Sequence, residues 1–286
     1  IEHRNEKSVV DTRMNSESRF PSFRTLPDRK EYIHPKHNPD GLFNICFATS
    51  FGNAIKGHKY NHELPCFVNL NNDLGQDAMF YFNNGDNIYE ITRTRANRPH
   101  YDYDLYRDDY KYYLKNSRGL AQYYRFVPQL FTYDDHEVYG DIDNTGAIGR
   151  GKFTGLYRDI GMKPWYEYQA WSNYHGPQYQ PILRGKAKVA KGSHIIHDPD
   201  ADFTKIRPEA VSNIHIMRYN DNAGIYKLVK VIDKNRIHVE PEFIKDENCD
   251  YSIGTHHYFD WKIGNCHFFA LDCRGERTEY DPEKIH

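Results

Sequence analysis

The chain has 286 residues, enough to bury one large core or two modest ones. Its 38 Lys and Arg nearly balance 40 Asp and Glu, and the resulting net charge of -2, with basic residues scattered, argues against a nucleic-acid binder. No apolar run reaches the roughly eighteen residues of a bilayer span, and the first residues are polar and charged, unlike a signal sequence.

Residues 1–40 are polar and broken by prolines, and read as an N-terminal extension or the remnant of another domain, with SRFPSFRTLP the piece able to form an edge strand. FNICFATSF (43–51) and AMFYFNNGD (78–86) are apolar runs that end in small or turn-forming residues, so each is expected to be a buried strand. A helix is predicted from Leu105 to Phe126, where Tyr106, Tyr110, Tyr113 and Leu114 recur at three- and four-residue steps. QLFTYDDHE then resumes as a strand, and the order strand, connection, strand, helix, strand is that of an α/β sheet with crossovers. In such sheets ligands collect beyond the carboxyl ends of the strands, where Ser50, Asp86 and Asp135 would lie.

Residues 139–155 are rich in Gly and Asp and read as a long loop over that edge, followed by a helix from Leu156 to Trp171 that carries Trp165, Tyr166 and Tyr168. From 183 to 257 the pattern changes to alternating strands, HIIHD, SNIHIMRY, GIYKLVKVID and RIHVEPEF, with a hairpin turn at Asp233, Lys234 and Asn235. The last strand expected is NCHFFALDC (265–273), again a buried type of run. The expected fold is α/β, with a core over 41–182, a small β-rich module inserted at 183–257 and a returning segment at 258–286. The five cysteines, Cys46, Cys66, Cys249, Cys266 and Cys273, form no CxxC pair, which indicates neither a zinc knuckle nor a disulfide framework. No Asn-x-Ser/Thr sequon occurs, and 24 Tyr suit a sheet-rich protein or a surface that contacts sugars or partners.

Two of the predicted strands deliver hard ligands to one sheet edge: NNGDNIYE with Asp86 and Tyr89, and TYDDHE with Asp134, Asp135 and His136. A carboxylate such as Asp86 can bridge two cations, a Tyr89 phenolate favours a hard trivalent ion such as iron, and His136 would protonate a leaving oxygen or stabilise phosphoryl charge. The plain alternatives are that Gly85-Asp86 is simply a turn and that the acidic cluster caps a following helix. His194, His197, His256 and His257 read as surface or loop residues. Asp198, Asp200 and Asp202 alternate as calcium ligands can, but the Gly and Glu of an EF-hand loop are missing.

In this order the motifs resemble the PhoD-like alkaline phosphatases, a branch of the metallophosphatases. FRTLP (23–27) looks like the end of that family's N-terminal β-sandwich, FNICFATSF like its first catalytic strand, and GDNIYE like its GD-x-x-Y segment. The block from Leu105 to Val138 resembles its helix and strand ending in DDHE, GMKPWYEYQAW the helix that follows, and FDWKIGNCHFFALDCRGER a strand ending in LD-x-R. The resemblance implies a metallophosphatase-like sheet in which Asp86 bridges two metals, Tyr89 binds an iron-like ion, and Asp135 with His136 serves the second metal and the phosphoryl group. It also implies iron and calcium as cofactors, a secreted or periplasmic setting, and pocket positions for Ser50, Asp134, Asp141, Asp272 and Arg274.

Several positions depart from the family's pattern. Ser50 stands where many members have Cys, Gly140 and Asp141 occupy the region of a metal-binding Asn, and the later Gly-Asp-x-His block is not in these residues. The expectation is a metal-dependent hydrolase of phosphoesters, incomplete or degenerate, whose open sheet edge pairs with itself or a further segment. Its rival is a non-catalytic structural or adhesive protein that keeps the scaffold and assembles with copies or partners. A carbohydrate-binding module built on the aromatic residues is the third reading.

Overall fold

The computed structural model describes residues 44–48, 65–73, 78–90, 102–140, 142, 146–150, 157–217 and 219–278, with residue 40. A parallel sheet of three strands has the order β1 (Asn44–Ala48), β2 (Ala78–Asn83), β3 (Gln129–Phe131). Parallel neighbours require crossover connections. The one before β2 carries α1 (Pro65–Asp73), and the one before β3 carries α2 (Tyr103–Asn116) and α3 (Arg118–Tyr123).

The central strand is buried on both faces, as a covered parallel strand must be. On one face Tyr81 meets Phe67 of α1 and Tyr123 of α3, with ring centroids 6.0 and 5.4 Å away. On the other, Phe80 and Phe82 pack on Trp261, the latter stacked at 5.4 Å. Trp261 belongs to a hairpin of β11 (Phe259–Ile263) and β12 (Cys266–Ala270). The 265–273 segment is therefore an arm of a separate two-stranded sheet covering the parallel one, and it alternates instead of being buried throughout. Phe269 is 66% exposed.

The helix expected from Leu105 to Phe126 is two helices. Ser117 takes an extended conformation and breaks the run, and its hydroxyl caps α3 by accepting the Leu120 N–H at 3.4 Å. The predicted aromatic face is real: Tyr106, Tyr110 and Tyr113 are buried, and Tyr110 stacks on Tyr168 of α4 (Arg158–Tyr168) at 5.0 Å. Among the described residues no helix is long and apolar enough to cross a membrane.

The six strands between residues 183 and 255 form a closed antiparallel barrel, in the order β8-β7-β10-β5-β6-β9 with β9 returning to β8. These are β5 (Leu183–Val189), β6 (Ile195–His197), β7 (Val211–Ile216), β8 (Gly224–Val231), β9 (Arg236–Glu240) and β10 (Glu247–Thr255). A short β4 (Gly149–Arg150) adds to β8 from the Gly-rich stretch. Closure leaves no open barrel edge and encloses Ile196, Ile214, Tyr226, Ile237, Val239 and Ile253. The sequence reading does not single out β5 and β10, which pair with each other in the middle of the barrel; β5 turns only Gly185, Ala187 and Val189 away from solvent, and β10 contributes Cys249, Tyr251 and Ile253 to the core.

The barrel is joined to the α/β part at two adjacent residues in the first turn of α4. Arg158 is fully buried and donates to the Ser212 hydroxyl at 2.6 Å, the Thr255 carbonyl at 2.9 Å and the Asp272 carboxylate at 3.1 Å. Asp159, also fully buried, accepts from Ser252 at 2.5 Å and pairs with His215 at 2.7 Å. Burial pushes the Asp159 carboxyl up, but His215, Arg158 and Ser252 outweigh it and hold the group well below the usual carboxylate range.

Since the folded pKa lies below the unfolded value of about 3.9, the stability Asp159 contributes is present above about pH 4 and is lost as pH falls through the folded pKa. Asp159→Asn is expected to cost about 3–5 kcal/mol near neutral pH, because it strips charge from a buried pair. Urea unfolding at pH 7 and pH 3 checks both points; a variant as stable as the parent at pH 7 contradicts them.

Candidate metal centre beyond β2 and β3

Asn83 of β2 pairs with Phe131 of β3, so the segments that leave these parallel strands start side by side at one edge. The Thr132 N–H donates to the Asn83 carbonyl at 2.8 Å and extends the pairing by a step. Glu137, fully buried, then ties the two loops together. One carboxylate oxygen accepts the N–H groups of Asp86 at 3.1 Å and Asp134 at 2.9 Å, and the other accepts that of Asn87 at 2.5 Å. Burial pushes the Glu137 carboxyl up to about 7, against the downward pull of those same backbone donors.

The approach of the loops is close enough to require glycine at position 85. Gly85 has φ +104°, and a Cβ there would run into the Asp134 backbone and Cβ. Asp86, next in the chain, has φ +54°, a left-handed conformation that Asp tolerates better than most residues. Such backbone is held in place by its surroundings, here the Glu137 carboxylate, and it turns the Asp86 side chain toward the second loop.

Asp86, Asp135 and His136 offer ligand atoms that all lie within 4.8 Å of one another. Asp135 is buried, and the other two are partly exposed at the surface of the site. The Tyr89 hydroxyl donates to the Asp86 carboxylate at 3.2 Å, and its ring lies 4.1 Å from the His136 ring. Glu90 pairs with His136 Nδ1 at 2.8 Å and also accepts the Gly140 N–H at 2.9 Å. Burial pulls the His136 imidazole down, but Glu90, Asp135 and Asp86 outweigh it and raise the group to about 8.

Arg274 closes the other side. Its guanidinium donates to Asp134 and to the Ile142 carbonyl, the latter at 2.8 Å, and stands 3.8 Å from Asp135. Asp272 lies one layer back, bound to Arg158, and its other oxygen accepts the N–H groups of Arg274 at 3.2 Å and Gly275 at 2.5 Å. Through this turn the barrel-anchored Arg158 supports the arginine that faces the carboxylates.

The structure thus gathers Asp86, Tyr89, Asp134, Asp135, His136 and Arg274 at one place, with Asp272 behind them. Ser50 and Asp141 lie outside the described residues. Among the described residues, the aspartates of HDPDADF are not part of a metal-holding group: Asp198 accepts from Tyr251 and from the Asp200 N–H, and Asp202 from Thr204. His257 is no surface residue; it is buried, and Tyr166 contacts its Nδ1 at 2.9 Å.

Glu90, Glu137 and Arg158 were missed in the sequence. The two glutamates stand inside GDNIYE and DDHE, yet no pattern separates a carboxylate that binds backbone from one that faces a ligand. Two carboxylates and an imidazole, with a phenol beside them, are a donor set that fits a hard or borderline cation.

Glu137→Ala leaves three buried or partly buried N–H groups without their acceptor, at about 1–3 kcal/mol each. The expected loss is at least about 3 kcal/mol of stability together with the cation affinity of the site, read by denaturation and titration calorimetry. In cation-free protein the His136 imidazolium should titrate near pH 8. Its contribution to stability is then complete below about pH 6.5 and is lost as pH rises through about 8. An NMR titration that places His136 at or below its ordinary value contradicts this.

No protein-family model and no curated protein matches the chain. Among solved structures, one described as the structure of PhoD is similar to it at 21% identity, with a TM-score of 0.31. The match covers 49% of this chain and 28% of that one, so the chain spans under a third of the protein it resembles.

Proposed function

We propose that this chain is a metal-dependent phosphoester hydrolase of PhoD-like type. The observation that carries the reading is the convergence of Asp86 with Asp135 and His136, residues far apart in sequence, within 4.8 Å on loops that Glu137 binds together. A cation bound there would supply Lewis acidity toward a phosphoryl oxygen and lower the pKa of a coordinated water. Asp86, Asp135 and His136 would hold it, with the Tyr89 phenol beside Asp86 as a further oxygen donor that favours iron. Arg274 places positive charge next to Asp135, on the side where a phosphoryl group carrying negative charge would be attracted.

One observation favours a second reading, a non-catalytic scaffold. Arg274 already balances the charge of Asp134 and stands against Asp135, so the acidic cluster is partly neutralised by the protein's own cation. Elemental analysis of the purified chain and hydrolysis of a chromogenic phosphoester separate the two. The hydrolase reading expects bound metal and turnover, and Asp86→Asn or Asp135→Asn should lower turnover by more than about a thousandfold. A folded chain that holds no metal after incubation with iron, calcium or manganese, and that turns over nothing, decides for the scaffold.

A further inference from the structure

We propose that Glu90 is the positioning residue of the site: it fixes the His136 imidazole as the Nδ1–H tautomer and so presents Nε2 to a cation. This rests on the metal-centre reading above and adds a residue and an atom to it. Glu90 is held at both oxygens, one 2.8 Å from His136 Nδ1 and the other accepting the Gly140 N–H at 2.9 Å, so its carboxylate cannot swing away without losing both contacts. An ionised carboxylate only accepts, hence the facing ring nitrogen must carry hydrogen, and in the neutral imidazole the lone pair is left on Nε2.

Two further contacts hold the ring. The Tyr89 ring lies against it at 4.1 Å on one side. At Gly140 a Cβ would come within 3.0 Å of the imidazole Cε1 and 3.3 Å of the Glu90 oxygen, so the backbone closes tightly on the pair. A carboxylate that hydrogen-bonds the far nitrogen of a histidine ligand sets its orientation and raises its basicity, and losing it costs about 10–100-fold in metal affinity.

The chemistry of Glu90→Gln makes the proposal sharp. The Gly140 N–H keeps the amide oxygen on its side, which turns the NH2 group toward His136 Nδ1. That donor needs a lone pair on Nδ1 and so forces hydrogen onto Nε2, the wrong tautomer for binding. Glu90→Ala merely frees the ring. A positioning role therefore expects Gln to be at least as damaging as Ala, whereas a packing role expects the near-isosteric Gln to be the milder change.

The test is long-range 15N–1H NMR of the His136 ring in metal-free full chain above pH 9, with Mn2+ titration calorimetry of parent, Glu90→Gln and Glu90→Ala. Expected are the Nδ1–H form in the parent, the Nε2–H form in Glu90→Gln, and Mn2+ binding about 10–100-fold weaker in Glu90→Gln. An Nε2–H parent, an unchanged tautomer in Glu90→Gln, or an Ala variant weaker than Gln overturns the proposal. A parent with the Nδ1–H signature that binds no Mn2+ upholds the Glu90 assignment and counts against the hydrolase reading, so the two fail separately.

Discussion

The candidate site depends on one buried carboxylate. Glu137 accepts backbone N–H groups from residues 86, 87 and 134, and by doing so it holds two loops whose acidic side chains would repel each other. A surface ion pair would not do this, because its energy is small and screened. Bonds to a fully buried acceptor are different, since breaking them strands polar groups away from water. The cost of that arrangement is visible in Glu137 itself, whose carboxyl burial pushes up to about 7.

Around this centre the molecule repeats one device, a buried charge that ties separate pieces of chain together. Arg158 and Asp159 are neighbours in sequence but reach in different directions: the arginine to Ser212, Thr255 and the 272–275 turn, the aspartate to Ser252 and His215. Glycines permit the close approach. A Cβ on Gly254 would crowd Asp159 and Ser212, and one on Gly275 would collide with Asp272 and Arg158. The barrel thereby becomes part of the support for Arg274, and a change at the seam should be felt at the carboxylates. Buried ion pairs of this kind add less to stability than their Coulomb energy suggests, but they fix geometry because each partner is costly to leave alone.

The strands of the parallel sheet were legible because a covered strand needs an unbroken apolar run, and AMFYFN and the QLF that precedes DDHE supply it. The tyrosine spacing of α2 was legible for the same reason. The break at Ser117 was not, since a serine at mid-run is compatible with helix until its hydroxyl finds a backbone N–H to cap. Nor was the barrel's closure: β5 reads LRGKAKV, whose inward Gly, Ala and Val carry little hydrophobic signal between lysines. In FDWKIGNCHFFA only the second arm, from Asn265 on, was read as a strand, although Gly264-Asn265 between two apolar runs is a hairpin turn.

By itself the sequence determined which residue types stand at the ends of β2 and β3, because a strand's period and its turn residues are local properties. It thereby named Asp86, Asp135 and His136 as a group before any contact was known. Only the tertiary structure decided which carboxylates face the open site and which are spent on the backbone. Glu90 and Glu137 differ from Asp86 and Asp135 in what surrounds them, not in local pattern. A hydrogen-bond partner some 50 positions away is set by how the strands pair and the loops pack, and no local spacing encodes it.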